Sequence, residues 1–143
     1  MQTFITDHNM DNSAANLDYK RLGGQRGEAI KIAKINLGLS EGWKHHPTIK
    51  MWGKYVPYLI TNYLSSIIKE WEGRKYKNEK SRRQYEELLK FLEKIGQTNP
   101  IKPHWITNEF ILAHRSNLIR KKPEFYQPLW PDIPNDLPYI WPI

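Results

Sequence analysis

Asn16-Leu17-Asp18-Tyr19-Lys20-Arg21-Leu22-Gly23-Gly24-Gln25-Arg26-Gly27-Glu28 leads directly into a run carrying Ala29, Ile30, Ile32, Ala33 and Ile35. The apolar residues of that run recur at helical spacing and predict a helix from about Gln25 to Leu37 with one buried side. Ahead of it, Asp11 or Asn12 caps a first short helix through Ala14, Ala15, Leu17 and Tyr19, and Gly23-Gly24 interrupts the path between the two. The quoted stretch holds three cations, three glycines and two carboxylates, close behind Met1-Gln2-Thr3-Phe4.

Outward from this centre the pattern stays helical. Gly38 to His46 reads as a loop, and Pro47 suits a first helical position. Met51, Trp52, Tyr55, Tyr58, Leu59, Tyr63, Ile67 and Trp71 then follow mostly at three- and four-residue spacing. Pro57, which has no N–H to donate, is expected to kink or break that run, and Gly73 to end it. Tyr85, Leu88, Leu89, Leu92 and Ile95 mark an amphipathic helix from about Glu79 to Ile95, closed by Gly96. Asn99 to Trp105 is a proline-containing linker. Thr107 caps a further helix through Phe110, Ile111, His114 and Leu118, which must stop before Pro123. Pro123 to Ile143 holds six prolines with Phe125, Tyr126, Trp130, Tyr139 and Trp141. So aromatic a segment is expected to wrap over the helices as extended chain. No alternating strand pattern is present. The expectation is an all-α fold: one compact helical domain over residues 1–143, with the Pro/aromatic C-terminal segment packed on it.

Composition narrows the partner. The chain has 143 residues, with 22 Lys and Arg against 15 Asp and Glu, a net charge of +7. Such an excess favours a polyanion, most simply nucleic acid. No apolar run approaches the roughly 20 residues of a spanning helix, so no membrane partner is expected. Met1 to Asn16 lacks an apolar signal core, and cysteine is absent. An intracellular location follows as the expectation, without disulfides or thiolate zinc sites. His45-His46 do not face the same way on a helix, and no HExxH spacing occurs, so no metal site is expected. Aromatics are 13% of residues and include six tryptophans, which serve a core, a base-stacking surface, or both.

The cations fall into four separate groups on one small domain, which is what a DNA-tracking surface needs. Lys20, Arg21 and Arg26 bracket the glycine pair, and Lys31 and Lys34 follow. Glycines at a helix start let backbone N–H groups approach a phosphate, with Gly23 and Gly24 reading equally as plain helix breakers. His46, Lys50 and Lys54 share a helix face at four-residue spacing, and Arg115, Arg120, Lys121 and Lys122 crowd the last helix. That last group also suits a helix dipole. His46 serves as the cap before Pro47 or as a phosphate or base contact, and His114 reads as a satisfied core residue. Arg74, Lys75, Lys77, Lys80, Arg82 and Arg83, interleaved with glutamates, read as a solvated surface.

An amine-based reaction is the second expectation. An α-amino group has an ordinary pKa of about 7.7–8.0, so part of it is neutral near pH 7. Such an amine attacks a sugar C1′, expels the base and forms an imine. A carboxylate must then move protons and stabilise the cationic intermediate. Asp18 and Glu28 both flank the basic cluster, and Glu28 is the preferred one.

Several of these residues carry a resemblance. They are Met1-Gln2-Thr3-Phe4; Leu17 to Gly23 with Gln25-Arg26 and Glu28-Ala29; Gly42-Trp43 with His46-Pro47-Thr48 and Met51-Trp52; His114 to Leu118 with Arg120-Lys121; and Trp130-Pro131-Asp132 with Leu137 to Pro142. The chain resembles the pyrimidine-dimer DNA glycosylase/AP-lyase family, in its bacterial-type branch, over nearly its whole length. The resemblance implies a small all-α enzyme without metal or organic cofactor. It also implies cleavage of the glycosidic bond at a cyclobutane dimer by the N-terminal amine, followed by β-elimination on bent duplex DNA. Met1, Glu28, Arg21 and Arg26 are then the candidate catalytic residues. Candidate DNA contacts near the amine are Gln2, Lys20, Gly23, Gly24 and Gln25. Further along the chain they are His46, Lys50, Arg115, Asn117 and Lys121, with Phe125 and Tyr126 standing where the family has an aromatic pair near the dimer.

Two departures stand out. In the family's phage branch the glutamate directly follows an arginine, whereas this chain reads Lys20-Arg21-Leu22. Glu28 takes that place, or the acid comes from elsewhere. That branch also exposes a threonine amine after methionine removal. Gln2 is too large for ordinary trimming, so Met1 stays and offers its own amine, or the lyase step is altered. The expected partner is double-stranded DNA carrying a pyrimidine dimer or a related modified base, met by a monomer. The alternatives are a non-catalytic module binding bent or damaged DNA, a glycosylase for a different base, or an interaction domain using the aromatic tail.

Overall fold

The computed structural model describes residues 1–142. Among them the protein is all-α, with no strand. Helix α1 (Met10–Ala15) is capped by Asn9, whose side chain accepts from the Asn12 N–H at 3.0 Å. Asp11, expected with Asn12 as a possible cap, instead sits in the first turn and accepts from Ser66 at 2.7 Å.

Helix α2 (Tyr19–Asn36) starts at Tyr19 rather than Gln25 and runs unbroken through Gly23 and Gly24. A helix-interior glycine costs about 1 kcal/mol relative to alanine. Packing offsets that cost here: Leu22, Gln25, Ala29, Ile30, Ile32, Ala33 and Ile35 are all buried. Gly23 is in the helix because Trp71 lies against it. A Cβ at that position would stand 3.0 Å from Trp71 Cζ3. Gly23 is thus a close-approach site, a Cβ at Gly24 would meet nothing within 4 Å, and neither breaks the helix.

Helix α3 (Pro47–Trp52) begins on Pro47, with His46 Nδ1 accepting from the Thr48 N–H at 3.1 Å. The path then breaks at Gly53–Tyr55, ahead of Pro57 and not on it. Pro57 occupies the first turn of α4 (Val56–Tyr58), where a missing N–H loses nothing. α4 runs on through a π-helical turn, Leu59–Leu64, into α5 (Ser65–Gly73). The turn buries Leu59, Ile60, Tyr63 and Leu64 together. Helix α6 (Glu79–Lys94) ends at Gly96, whose φ of +74° suits a residue without Cβ. Helix α7 (Asn108–Lys121) is capped by Thr107, which accepts from the Phe110 N–H at 3.2 Å.

Pro123–Tyr126 form one more helical turn, α8, where extended chain was expected; Pro123 again takes a first-turn position. Beyond it the tail is non-helical and lies over α7. Leu137 donates its N–H to Ser116 Oγ at 3.0 Å, and its carbonyl accepts from Asn117 Nδ2 at 3.1 Å and Arg120 Nη2 at 2.8 Å. Ile143 lies outside the described residues.

The chain start is the least ordinary element. Gln2 to Thr6 are buried, yet belong to no helix or sheet. Buried peptide groups must be paired, so side chains from distant elements supply the partners. Phe4 N–H donates to Gln25 Oε1 at 3.0 Å, Ile5 N–H to His114 Nδ1 at 3.0 Å, and Thr6 N–H to Ser13 Oγ at 2.8 Å. The carbonyls of Gln2, Phe4 and Thr6 accept from Gln25, Tyr63 and Arg115 at 2.9, 3.0 and 2.8 Å.

His114 is therefore a working core residue, but only half satisfied: its Nε2 has no hydrogen-bond partner among the described residues. Complete burial pushes its pKa from 6.5 down to about 3. Because the folded value lies below the unfolded one, the unfolded chain binds the extra proton between them. Stability from this group is complete above about pH 6.5 and is lost progressively as pH falls towards about 3. His114→Asn keeps an acceptor for Ile5 without titrating there. Its pH-dependent melting curve should be flatter than wild type between pH 6.5 and 3, by up to about 1.4 kcal/mol per pH unit.

Candidate active site

One cavity of about 540 Å³ gathers residues from five separate parts of the chain. Helix α2 contributes Lys20, Arg21, Gly24, Gln25 and Glu28. These lie three and four positions apart, which places them on one helix face. The chain start contributes Met1, Gln2 and Phe4, the N-cap of α3 gives His46, the end of α7 gives Lys121, and the tail gives Tyr139 and Trp141.

The first two residues are held through their carbonyls. Thr48 Oγ1 donates to the Met1 carbonyl at 2.9 Å, and Gln25 Nε2 donates to the Gln2 carbonyl at 2.9 Å. Gln25 Oε1 also accepts from the Tyr63 hydroxyl, which fixes the amide's orientation. Thr48 therefore holds the peptide next to the chain's first nitrogen, and one glutamine on α2 holds the Gln2 carbonyl and the Phe4 N–H just behind it. Tyr63 is fully buried, and burial, with Glu28 as the second cause, raises its pKa well above the ordinary phenol value. It stays a neutral donor.

The two carboxylates that spacing left open now separate. Asp18 is 1% exposed and fully engaged: the Tyr126 hydroxyl donates to it, Arg21 Nη1 stands at 3.4 Å and Lys122 Nζ at 3.9 Å. Its own N–H donates to the Tyr126 oxygen at 2.9 Å. Asp18 is thus tied to the fold. Glu28 lines the cavity, and its Oε2 is out of water contact without a hydrogen-bond partner among the described residues. Gln2 Nε2 is in the same condition. A buried carboxylate oxygen left without a donor is costly.

His46 senses the same ensemble. Partial burial lowers its pKa first, the α-amino group next, Lys31 adds to this and Glu28 opposes it. The imidazole remains neutral at pH 7 and keeps Nδ1 as an acceptor for Thr48. Amine, Glu28 and His46 are thus within one another's electrostatic field.

The remaining candidates lie elsewhere. Arg26 is off the cavity: Nη1 donates to Asn78 Oδ1 at 2.7 Å, Nε to the Gly23 carbonyl at 3.3 Å, and the guanidinium lies 4.0 Å over Trp71. Gly23 faces Trp71, and Lys50 is exposed on α3 outside the lining. Arg115 holds the Thr6 carbonyl and lies 5.3 Å over Trp130. Asn117 donates to Ala113 and Leu137, and Tyr126 is buried against Asp18. Phe125 is 37% exposed, away from the cavity. Arg26, Arg115, Asn117 and Tyr126 are thus occupied in holding the fold. Phe4, Tyr139 and Trp141 line the cavity without having been singled out by spacing. In the sequence they stood within Met1 to Phe4 and Leu137 to Pro142, stretches that carry the family resemblance, with no role given to them.

Residues 1–84 match the pyrimidine dimer DNA glycosylase family. The chain belongs to that family. The matched span includes Met1, Gln2, Lys20, Arg21, Gly24, Gln25, Glu28 and His46, while Lys121, Tyr139 and Trp141 come from beyond it. No curated protein and no solved structure matches the chain.

The division of the arginines has a measurable consequence for a glycosylase-family protein. Arg21→Ala should weaken binding to duplex DNA and flatten the dependence of log affinity on log salt by about one unit. Arg26→Ala should chiefly lower the melting temperature, through loss of the Trp71 and Asn78 contacts, with a smaller change in salt slope.

Proposed function

We propose that the protein is a DNA glycosylase with AP-lyase activity that acts on double-stranded DNA carrying a pyrimidine dimer or a related modified base, with the Met1 α-amine as nucleophile. The observation that supports this reading is the meeting of Met1, Glu28, Arg21, Lys20 and Lys121 around one cavity, with a carboxylate oxygen of Glu28 uncommitted. Family membership supplies the substrate class. No described helix is long and apolar enough to cross a membrane. A monomer working wherever the cell keeps its DNA completes the proposal.

The chemistry follows from those groups. The neutral amine attacks C1′ of the sugar, and the C1′–N bond to the base breaks, the base departing with the bonding electron pair. Loss of a proton from the attached nitrogen and opening of the sugar ring give an imine between Met1 and C1′. The imine acidifies C2′. Removal of a C2′ proton expels the 3′ phosphate by β-elimination, and water then releases the enzyme. Glu28 is the proton carrier: protonated, it assists ring opening at the sugar oxygen, and ionised, it stabilises the cationic intermediate. Lys20, Arg21 and Lys121 hold phosphates through charge, which positions the sugar and carries little sequence information. Thr48 holds the Met1 carbonyl and Gln25 the residues just behind it, and neither reacts.

Borohydride added during reaction with abasic-site duplex should reduce the imine and leave DNA covalently attached to residue 1, seen by peptide mapping. An N-terminally acetylated protein should give no adduct. Acetylated protein that retains full strand cleavage would show that another group is the nucleophile. A non-catalytic damage-binding module would bind equally well in both forms and cleave in neither.

Glu28→Gln is nearly isosteric and removes the acid. It should lower the single-turnover rate by about 100-fold or more, in the range general acid–base groups supply, with DNA affinity little changed. An undiminished rate would clear Glu28 of the role.

A further inference from the structure

We propose that His46 is a catalytic residue of base release: its Nε2–H donates a hydrogen bond to the O2 carbonyl oxygen of the pyrimidine as that base departs. The proposal rests on the reading of the cavity as a glycosylase site, and it adds a group for the leaving base beside the nucleophile and the proton carrier.

The cap of α3 decides which ring nitrogen carries the proton. Thr48 N–H can only donate, and it donates to His46 Nδ1 at 3.1 Å. Nδ1 therefore presents its lone pair, and the single proton of a neutral imidazole sits on Nε2. With that lone pair committed, His46 is no base for the amine. Burial, the α-amino group and Lys31 all oppose a second proton on the ring, while Glu28 favours one. A neutral imidazole held at a helix N-terminus polarises a carbonyl oxygen without a charge of its own. Packing keeps the ring in place. Trp43 stands 5.3 Å from it at 77° and Trp141 stands 6.3 Å from it at 81°. The ring cannot swing away without losing these contacts and the cap.

Thr48 also ties this donor to the nucleophile. Its N–H binds His46, and its Oγ1 donates to the Met1 carbonyl at 2.9 Å. Met1 and His46 line the same cavity. The amine must reach C1′, and O2 stands on the carbon next to N1, hence beside C1′. A donor fixed next to the amine is thus next to O2. Lys20, Arg21 and Lys121 in that cavity carry charge and suit the phosphates.

Charge develops on O2 when the C1′–N1 bond breaks, because the bonding pair goes to N1. In a cyclobutane dimer the 5,6 double bond has been consumed, so C2–O2 is the one carbonyl still conjugated with N1. A donor already aimed there stabilises the departing anion without reorganisation. The step balances with His46 unchanged. Of the amine's two protons, one reaches the sugar ring oxygen through Glu28, and the other reaches N1 of the departed base through water.

The test uses full-length protein at single turnover and two duplexes, one with a cyclobutane thymine dimer and one with a preformed abasic site. Base release is read as alkali-labile strand breaks, and the lyase step as direct nicking of the abasic duplex. His46→Asn keeps an N-cap acceptor for Thr48, as Asn9 does for α1, but its amide is too short to replace Nε2. It should slow base release by about 100- to 1,000-fold and abasic nicking by no more than a few-fold. Affinity for the dimer duplex and its salt slope should hold, because no charge is removed. His46→Ser, with another capping side chain, should give the same ratio of the two rates and guards against a folding defect in either variant. Equal slowing on both duplexes, with a lowered melting temperature or weakened affinity, would overturn this proposal in favour of a structural or phosphate-binding role. Undiminished base release would overturn it too. In either case wild type that processes both duplexes leaves the catalytic reading intact. Wild type that nicks only the abasic duplex would remove base release and this proposal but keep the lyase. Wild type that acts on neither would overturn both readings.

Discussion

Everything in this fold answers to one constraint: five residues at the chain start, Gln2 to Thr6, are buried without a neighbouring strand. An extended peptide in an apolar interior must find a partner for its polar groups or lose a large part of the stability that burial provides. Gln25 on α2, Tyr63 on the π-helical turn, His114 and Arg115 on α7 and Ser13 on α1 provide them. Trp52 adds a bond from its Nε1 to Thr3 Oγ1 at 2.9 Å. The helices are thus arranged around a chain end that they must also hydrogen-bond. Removing a partner leaves a buried peptide group orphaned, which costs about 1–3 kcal/mol. The same threading carries the α-amino group of Met1 to the cavity.

A second allocation concerns charge. A net +7 suggests many cations available to a polyanion, but the structure divides them. Arg26 covers Trp71, Arg115 covers Trp130 and caps the Thr6 carbonyl, and Arg120 ties the tail to α7. Arginine suits such places because its planar head stacks and donates in several directions at once. Lys20, Arg21 and Lys121 are the cations that face the cavity. The carboxylates divide in the same manner, with Asp18 enclosed by Tyr126, Arg21 and Lys122 and Glu28 retaining an unpaired oxygen.

Much of the fold was legible because helical periodicity and end signals are local. Pro47 at a helix start, Gly96 at a helix end and the Thr107 cap depend on neighbours within one turn, so they fall where the residues place them. The errors were of another kind. Gly23-Gly24 read as a break because propensity was weighed without the packing of α2, in which the Trp71 ring takes the space of a side chain at Gly23. Pro57 read as a kink because the earlier break at Gly53 was invisible in the apolar spacing. The tail's opening turn was missed because six prolines outweighed one favourable Pro123.

By itself the sequence determined the helical class, the positions of most helices and the basic character, since all of these follow from residue type and spacing along short chain segments; that Lys20, Arg21, Gly24, Gln25 and Glu28 share one face needed the unbroken α2. Tertiary structure alone decided which cations remain free, which acid keeps an open oxygen, and that Met1, His46, Lys121, Tyr139 and Trp141 share a cavity. The physical reason is range. Propensity and periodicity act over a few residues, whereas burial and hydrogen-bond pairing join groups more than a hundred positions apart, as Ile5 and His114 do.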